Sequence, residues 1–380
     1  MKTSRLTIFD ETLRDGAQQV GLFFEDDMTR SLAHLIAQTG VHQIAFMPEI
    51  GESEERLVQS LIASGLSNLT ASTRMGRQFI DHSKACGVTR IILFHAVSDQ
   101  LLLLRAEPSQ KAEPDLTRLR QQTIDKILAN LHYAAQAGLK IAFAAEDASR
   151  ADFGFLVECI EAFSPYLEHF LLCDTVGVLT PEKSYIWVHD LLQTTQASLA
   201  VHFHNDMGLA LENTIQAVLA GATGVSGTFG GIGERAGNVA LEQVLNGLRL
   251  RFGWKVAGID YAALAEVTNC LEQWGIRANA PYSAQAQRYE AGIHVNSLLR
   301  DRTSYSIFPY GKPEIWFGKC SGASNFQYLF EQLQQPLKKE QYEQLRSQIK
   351  TLAIQEKRSF STQEILAMLQ QGVLKIEGEQ

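Results

Sequence analysis

The chain has 380 residues, of which 45% are hydrophobic and 20% are charged, a composition typical of soluble globular proteins. Its 42 acidic side chains outnumber the 34 basic ones, and the formal net charge of -8 disfavours non-specific binding to nucleic acid. No apolar stretch reaches the length of a membrane span, and five scattered cysteines lack the spacing of a disulfide framework or a zinc finger. We therefore expect a cytoplasmic protein with reduced thiols and with no membrane or nucleic-acid partner.

Short apolar runs alternate with longer amphipathic segments from the N-terminus onwards. The predicted strands are residues 6–9, 43–47, 68–72, 89–94, 140–145, 169–173, 199–204 and 224–228. The predicted helices between them are residues 26–38, 52–63, 78–86, 115–137, 151–163, 181–193 and 209–220. Glycines follow several of these helices, as expected at helix C-termini.

Eight strands that alternate with helices predict a closed (β/α)8 TIM barrel, which we assign to residues 1–255. A doubly wound open sheet is the alternative, but it requires a glycine-rich phosphate turn after the first strand, and residues 10–16 do not form one. Residues 256–380 are predicted to form a mainly helical C-terminal region. Helices from residue 241 onwards are predicted at 241–251, 261–274, 325–334, 339–350 and 362–371.

In a barrel of this kind, the active site lies at the carboxyl ends of the strands. Polar residues close six of the predicted strands: Arg14 and Asp15, Thr73 and Arg74, His95 and Ser98, Glu146 and Asp147, Asp174 and Thr175, and His202 and His204. So many ionisable groups at one rim cost desolvation free energy unless they bind something. We therefore expect the functional site at this rim. Asp147 is the exception, because we interpret it as the N-cap of the following helix.

His202 and His204 lie two residues apart at the end of a predicted strand, so their side chains point to the same side. Two imidazoles in this arrangement can act as a pair of ligands to a divalent metal ion. The alternative interpretation is a hydrogen-bonded pair of core histidines. The pair alone favours the core interpretation, and the rest of the sequence is what favours metal binding.

Four motifs occur in a fixed order along the chain. They are residues 12–16 (Thr-Leu-Arg-Asp-Gly), 202–206 (His-Phe-His-Asn-Asp), 233–238 (Gly-Glu-Arg-Ala-Gly-Asn), and 292–294 (Gly-Ile-His) followed by Tyr305. Together they resemble the Claisen-condensing acyl-CoA enzymes of the metal-dependent TIM-barrel lyase superfamily, which includes homocitrate, isopropylmalate and citramalate synthases. The length of the chain is most similar to that of the short homocitrate synthases of the nitrogen-fixation type.

The resemblance implies a metal site formed by Asp15, His202, His204 and Asn238. The bound ion would be Mg²⁺, Mn²⁺ or Zn²⁺. Mixed oxygen and nitrogen ligands leave positions at which a 2-oxo acid can chelate the ion, which then polarises the ketone. The co-substrate implied by the resemblance is acetyl-CoA.

The resemblance also implies the catalytic residues. Arg14 would stabilise the enolate or the developing alkoxide, and its alternative role is a surface ion pair. Glu146, His294 and Tyr305 would form the acid/base machinery that removes a methyl proton from acetyl-CoA. The alternative for His294 is a loop histidine without a function.

Three further residues are predicted to bind substrate. Thr175, like Glu146, matches a position that contacts the substrate in this family, Arg74 is a candidate partner for a substrate carboxylate, and Gln18 is the third residue. The family resemblance implies a homodimer. It leaves open whether His294 acts in its own subunit or in the partner subunit.

Several positions depart from the family pattern, among them Ala17, Leu101 and Cys320. Because pocket residues set specificity, the identity of the 2-oxo acid stays open. We predict 2-oxoglutarate, which would give homocitrate, and the alternatives are the acids of isopropylmalate or citramalate synthases. A retro-aldol or retro-Claisen lyase is a further alternative, although the chain lacks the cysteine-bearing insertion of the related lyases. The last alternative is a non-catalytic paralogue that binds a small ligand or a protein.

Overall fold

The computed structural model describes residues 2–106, 115–307 and 312–376. Within these ranges eight parallel strands close into a barrel, as the sequence predicts. In chain order they are β1 (Thr7–Asp10), β2 (Gln43–Phe46), β3 (Leu69–Arg74), β4 (Arg90–Ala96), β5 (Lys140–Glu146), β6 (His169–Asp174), β7 (Leu199–Phe203) and β8 (Gly224–Gly227). Each strand pairs with its neighbours in chain order, and β1 pairs with β8 to close the ring.

Fourteen α-helices lie within the described ranges. They are α1 (Asp26–Gln38), α2 (Glu52–Ala63), α3 (Arg77–Ala85), α4 (Asp99–Arg105), α5 (Leu116–Gln136), α6 (Phe153–Phe163), α7 (Pro181–Thr194), α8 (Ala210–Ala220), α9 (Leu241–Phe252), α10 (Ala263–Gln273), α11 (Gly292–Leu298), α12 (Ala323–Gln332), α13 (Lys339–Glu356) and α14 (Thr362–Gln370). The sequence pattern predicts neither α4 nor α11. None of the described helices combines the length and the apolar character needed to cross a membrane.

Short strands add two small sheets to the barrel. Lys2–Ser4 pairs in parallel with Trp254–Val256. In the C-terminal region, Glu314–Phe317 pairs with both Arg288–Tyr289 and Phe360–Ser361 in a three-stranded sheet. The predicted helical region therefore also contains a sheet, which the sequence analysis missed because its strands are only two to four residues long.

The barrel has a tightly filled interior below its carboxyl rim. Phe9, Ile92, Ala142, Leu171 and Ala200 pack there against one another, and all are buried. Parallel strands covered on both faces read as continuous apolar runs, which explains why the sequence marks them clearly. Ile92 and Leu171 of this layer also contribute to the lining of a pocket at the rim.

The apolar core has two main parts. The larger cluster joins the strands to the surrounding helices and extends to Ile276, so it includes α10. The second cluster is built from the C-terminal region, and it also takes in Ala96, Leu101 and Val176 from the barrel rim. The C-terminal region therefore packs on the rim at which the site is expected. The division at residue 255 stays a prediction, and residues 1, 107–114, 308–311 and 377–380 of the assigned ranges lie outside the described residues.

Candidate active site

A pocket opens at the carboxyl ends of the barrel strands and is covered on one side by the start of α11. It encloses about 890 Å³ of space, part of it open to solvent. Most of the predicted site residues line this pocket: Arg14, Asp15, Gln18, Glu146, Thr175, His202, His204 and His294. Residues from the N-terminal and the C-terminal parts of the chain therefore line the same pocket.

Asp15, His202 and His204 form the base of this pocket. The Nε2 atoms of His202 and His204 lie 3.8 Å and 3.9 Å from Oδ2 of Asp15. The two rings are nearly perpendicular, with centroids 5.1 Å apart. Spacings of this size are too long for hydrogen bonds and suit ligand atoms around a common ion. The three side chains, with ligand atoms all within 4.8 Å of one another, could hold a divalent metal ion.

The amide of Asn238 lies beside this group. Its Nδ2 donates to Oδ1 of Asp15 at 2.7 Å and to the carbonyl of Ile232 at 3.2 Å. Among the described residues, Oδ1 of Asn238 is buried and finds no hydrogen-bond partner. An unpaired buried polar atom costs free energy, so such atoms mark places where a ligand or an ion can bind. All four predicted metal ligands are therefore neighbours.

Gly233 makes room for this arrangement. A Cβ atom at this position would lie 2.2 Å from Nδ2 of Asn238 and 2.6 Å from Oδ1 of Asp15. The φ angle of Gly233 is 150°, which a residue with a side chain rarely adopts. The close approach of Asn238 to Asp15 therefore requires a glycine.

Burial and neighbouring charges set the protonation of the metal-binding group. Burial lowers the pKa of His202 to about 4 and the pKa of His204 well below its usual range. Burial alone would raise the pKa of Asp15, but the charge of Arg14 and the two imidazoles outweigh it and hold that pKa well below its usual range. Neutral imidazoles and an ionised carboxylate are the forms that bind metal ions.

Arg14 lies in the pocket wall and is held by two acidic residues. Its Nε lies 2.5 Å from Oε2 of Glu11, and its Nη1 lies 3.2 Å from Oδ2 of Asp15. The surface ion pair considered as an alternative is therefore wrong. Glu11 is almost completely buried and lines the pocket, yet the sequence analysis did not select it. The position of Glu11 directly after β1, at the carboxyl rim of the barrel, could have identified it as a site residue.

Glu146 is held by an ion pair that the sequence analysis missed. Arg105, on α4, donates to both carboxylate oxygens, at 2.7 Å and 2.8 Å, and to the hydroxyl of Tyr305 at 2.7 Å. That hydroxyl in turn donates to Oε1 of Glu146. Burial would raise the pKa of Glu146, but Arg105 and Tyr305 outweigh it and lower that pKa to about 2. Glu146 is thus a carboxylate with little affinity for a proton.

His294 approaches the pocket from α11 of the same chain. Its ring stacks on that of Tyr305, with centroids 4.0 Å apart and planes inclined by 28°. Its Nδ1 lies 3.0 Å from Oε1 of Glu234, a residue of the motif at 233–238 to which no role was assigned. The fold therefore brings His294, Tyr305 and Glu146 together, and His294 and Glu146 line the same pocket as the metal-binding group.

Comparison with known proteins identifies the family. Residues 5–271 match the sequence profile of the HMGL-like family. The chain belongs to the HMGL-like family. It is 33% identical to homocitrate synthase AksA of Methanothermobacter thermautotrophicus over 311 residues, which are 80% of this chain and 77% of that protein.

Other relatives of this HMGL-like protein extend over nearly its whole length. Homocitrate synthase 1 of Nostoc sp. is 31% identical over 97% of this chain and 98% of its own length. 2-isopropylmalate synthase 2 of Caldanaerobacter subterraneus subsp. tengcongensis is 29% identical over 98% of this chain and 97% of its own length. The chain is therefore an enzyme of the acyltransferase type that these relatives represent.

Solved structures share the fold of this HMGL-like enzyme. The HMG-CoA lyase from Brucella melitensis superposes with a TM-score of 0.58 at 19% identity, covering 71% of this chain and 99% of the lyase. The hydroxymethylglutaryl-CoA lyase from Pseudomonas aeruginosa gives a TM-score of 0.57 at 19% identity, with 75% and 97% coverage. At this identity the similarity concerns the barrel architecture and not the reaction.

The predicted substrate-binding residues have separate positions in this HMGL-like enzyme. Thr175 and Gln18 line the pocket, and Oγ1 of Thr175 accepts the backbone N–H of Asp147 at 2.8 Å. Arg74 does not line this pocket. It faces an adjoining cavity, where its Nε lies 2.5 Å from Oε2 of Glu49.

The interpretation of Asp147 as a helix cap is wrong. The cap of α6 is Asp152, whose Oδ1 accepts the N–H of Phe155 at 2.9 Å. Asp147 is completely buried, and its carboxylate accepts hydrogen bonds from Ser98 and Arg150. Its φ angle of 63° places it in the left-handed region, so the chain turns sharply there, directly after Glu146. Asp147 therefore holds the chain in place directly after Glu146, beside the pocket.

Proposed function

We propose that the enzyme condenses acetyl-CoA with a 2-oxo acid by a Claisen reaction and then hydrolyses the thioester, with 2-oxoglutarate as the acid and homocitrate as the product. The observation that carries this proposal is one pocket lined by a metal-binding group and by His294 and Glu146, both of which Tyr305 contacts from behind. Relatives named homocitrate synthase support the choice of acid. The relative named 2-isopropylmalate synthase supports the alternative, a different 2-oxo acid.

Asp15, His202, His204 and Asn238 are the proposed ligands of one divalent ion, Mg²⁺, Mn²⁺ or Zn²⁺. A bound ion would supply Lewis acidity toward the carboxylate and ketone oxygens of the 2-oxo acid. The chain itself fixes the ligand residues before any ion binds, because Asn238 already holds Asp15 and Ser226 lies 3.0 Å from Nδ1 of His202. That contact leaves Nε2 of His202 facing the pocket.

We assign Arg14 to the negative charge that develops on oxygen during condensation. Its guanidinium is fixed by Glu11 and Asp15, so it needs little reorganisation when charge appears beside it. Glu11 and Asp15 are both acidic, and they keep Arg14 protonated. The proposed role of Glu11 is to position Arg14.

His294 is the proposed acceptor of the acetyl-CoA methyl proton. Glu234, 3.0 Å from Nδ1, would stabilise the imidazolium that results from this transfer. Glu146 is poorly suited to take the proton because its pKa is about 2. Its proposed role is to hold the Tyr305 hydroxyl, together with Arg105, beside the reacting thioester.

A basic cavity next to the pocket suits the anionic part of acetyl-CoA. It shares Gln18, Met47, Ala291 and Ile293 with the pocket wall. Four cationic residues line it: Arg74, Lys319, Arg346 and Lys350. Cations that converge on one cavity favour phosphate groups. We therefore reassign Arg74 from the 2-oxo acid to the co-substrate.

The test is the release of free CoA by purified enzyme with a divalent metal and a panel of 2-oxo acids. We expect thiol release with one acid of the panel, and 2-oxoglutarate is the first candidate. No turnover with any acid, while the metal is shown to bind, would contradict the proposal. Cleavage of a hydroxyacyl-CoA in place of condensation would support the lyase alternative. The predicted homodimer and cytoplasmic location stay predictions, and light scattering tests the first of them.

A further inference from the structure

A second group of potential metal ligands lies on the outside of the barrel, between α2 and α3. It consists of Glu55 on α2, His82 on α3 and Cys86 at the C-terminal end of α3. One ligand atom from each residue lies within 4.8 Å of the others. None of the three lines the pocket described above. The group is therefore separate from the candidate active site.

The atoms of this group converge without bonding to one another. Oε2 of Glu55 lies 3.8 Å from Nε2 of His82, beyond the range of a hydrogen bond. Two ligands of a tetrahedral zinc ion are roughly 3.2–3.7 Å apart when the metal–ligand bonds are about 2.0–2.3 Å. The 3.8 Å separation is also the one found between Asp15 and His202 in the active-site group.

The hydrogen bonds around the group leave these atoms available. The other oxygen of Glu55 accepts from Nε2 of Gln59 at 3.2 Å, which turns Oε2 towards His82. Nε2 of His82 is buried, and no described residue forms a hydrogen bond with it. The thiol of Cys86 is buried as well. A buried imidazole nitrogen without a partner is costly unless something binds it.

The helix presents two of the ligands on one face. His82 and Cys86 are four residues apart, which places their side chains one above the other along α3. The backbone N–H of Cys86 donates to the carbonyl of His82 at 3.1 Å, so the helical geometry continues through Cys86. Only Glu55 has to be supplied from a neighbouring helix.

We propose that Glu55, His82 and Cys86 bind a transition-metal ion of the Zn²⁺ class. A thiolate and an imidazole select Zn²⁺ or Co²⁺ over Mg²⁺, which prefers oxygen ligands. Thiolate and carboxylate together balance the charge of the ion. Burial raises the pKa of the Cys86 thiol to about 11, so binding releases the thiol proton to solvent.

Co²⁺ titration of the full-length protein tests this site directly. A thiolate bound to Co²⁺ gives a charge-transfer absorption in the near ultraviolet, which the oxygen and nitrogen ligands of the active-site group do not give. Because the active-site group can also take a Co²⁺ ion, we expect the band to saturate between one and two equivalents, and to disappear when Zn²⁺ displaces Co²⁺. It should be absent in Cys86→Ser and persist in His202→Ala. The matched control is Cys173→Ser, because Cys173 lines the active-site pocket and should not contribute to the band.

A second variant guards against misfolding of Cys86→Ser. His82 is 38% exposed, so His82→Gln is expected to fold normally and to weaken Co²⁺ binding at least tenfold. Absence of the band in the wild-type protein would overturn the proposal, as would a band that survives Cys86→Ser or is lost in Cys173→Ser. None of these outcomes depends on the acid that the enzyme condenses.

Discussion

Asp15 is the residue on which the proposed metal ligands converge, since it lies close to both histidines and accepts a hydrogen bond from Asn238. Asp15→Asn replaces the anionic ligand with a neutral one of the same size. We expect weaker Mn²⁺ binding and a loss of kcat on the order of 100-fold, because Lewis-acid stabilisation is worth several kcal/mol. Calorimetry and CoA release measure the two effects. Asp125→Asn, at an exposed position, is the control, and unchanged Mn²⁺ affinity in Asp15→Asn would contradict the ligand assignment.

Tyr305 offers a test of the proposed proton-transfer group. Tyr305→Phe removes the hydroxyl that donates to Glu146 and accepts from Arg105, and keeps the ring that stacks on His294. We expect kcat to fall by roughly 10²–10⁴-fold with little change in KM for the 2-oxo acid. Tyr185→Phe, at an exposed tyrosine, should behave as the wild type. A normal kcat in Tyr305→Phe would remove this residue from the mechanism.

Asp10 makes the stability of the barrel depend on pH. Burial raises the pKa of its carboxyl from 3.8 to about 8. Between these values the folded protein keeps a proton that the unfolded chain has lost, so Asp10 lowers the free energy of unfolding as the pH rises. We expect the Tm of the wild type to fall from pH 5 to pH 8 by more than that of Asp10→Asn. Equal changes in the two proteins would show that Asp10 does not titrate in this window.

The site residues divide into those that a sequence can reveal and those that it cannot. Asp15, His202, His204 and Asn238 stand in motifs at strand ends, and the fold brings them together as neighbours. Arg105 stands in no such motif, and its ion pair with Glu146 exists only because α4 lies against the end of β5. Pairing between charges that are distant in sequence is set by tertiary packing.

At the scale of elements, the barrel strands were predicted to within two residues at each end. Helices α1 and α2 were predicted with their observed bounds, because an amphipathic pattern and a following glycine mark each one. Helices α4 and α11 have seven residues each, which is too few for a periodic pattern to stand out. These two missed helices carry Arg105 and His294, so the gap in the fold prediction lies beside the active site.

Helix α13 carries the test of the basic cavity. Lys350 donates to the carbonyl of Ile50. Burial is the main cause that lowers the pKa of Lys350, and the charges of Arg346 and Arg74 lower it further. We expect Lys350→Ala to raise KM for acetyl-CoA roughly 10-fold, the scale of one charge-assisted hydrogen bond, and to leave KM for the 2-oxo acid unchanged. Lys339→Ala, on an exposed part of the same helix, is the matched control. An effect on the 2-oxo acid instead would assign the cavity to that substrate.

At the scale of the whole molecule, the C-terminal apolar core supports the region that supplies His294 and Tyr305 to the active site. Phe326 is completely buried there, and its ring contacts that of Phe317 with centroids 5.0 Å apart. Phe326→Ala should lower the free energy of unfolding by about 3–5 kcal/mol. Because His294 and Tyr305 lie in this region, we also expect a lower kcat with metal affinity retained by the barrel.

Denaturant unfolding, CoA release and Mn²⁺ calorimetry on Phe326→Ala separate these effects. Phe153→Ala, at a phenylalanine that is 41% exposed, is the control and should change all three little. A loss of both Mn²⁺ binding and kcat would show that metal binding by the barrel depends on the C-terminal region.

The barrel closes where β1 pairs with β8, two strands from opposite ends of the barrel sequence. The hydrogen bond from Asn238 to Asp15 joins the segments that follow these two strands. An ion bound by both residues would therefore link the two strands that close the barrel. Tighter binding of such an ion would make the barrel harder to open, because a ligand that binds only the closed form adds a stabilisation that grows with the logarithm of its affinity and concentration.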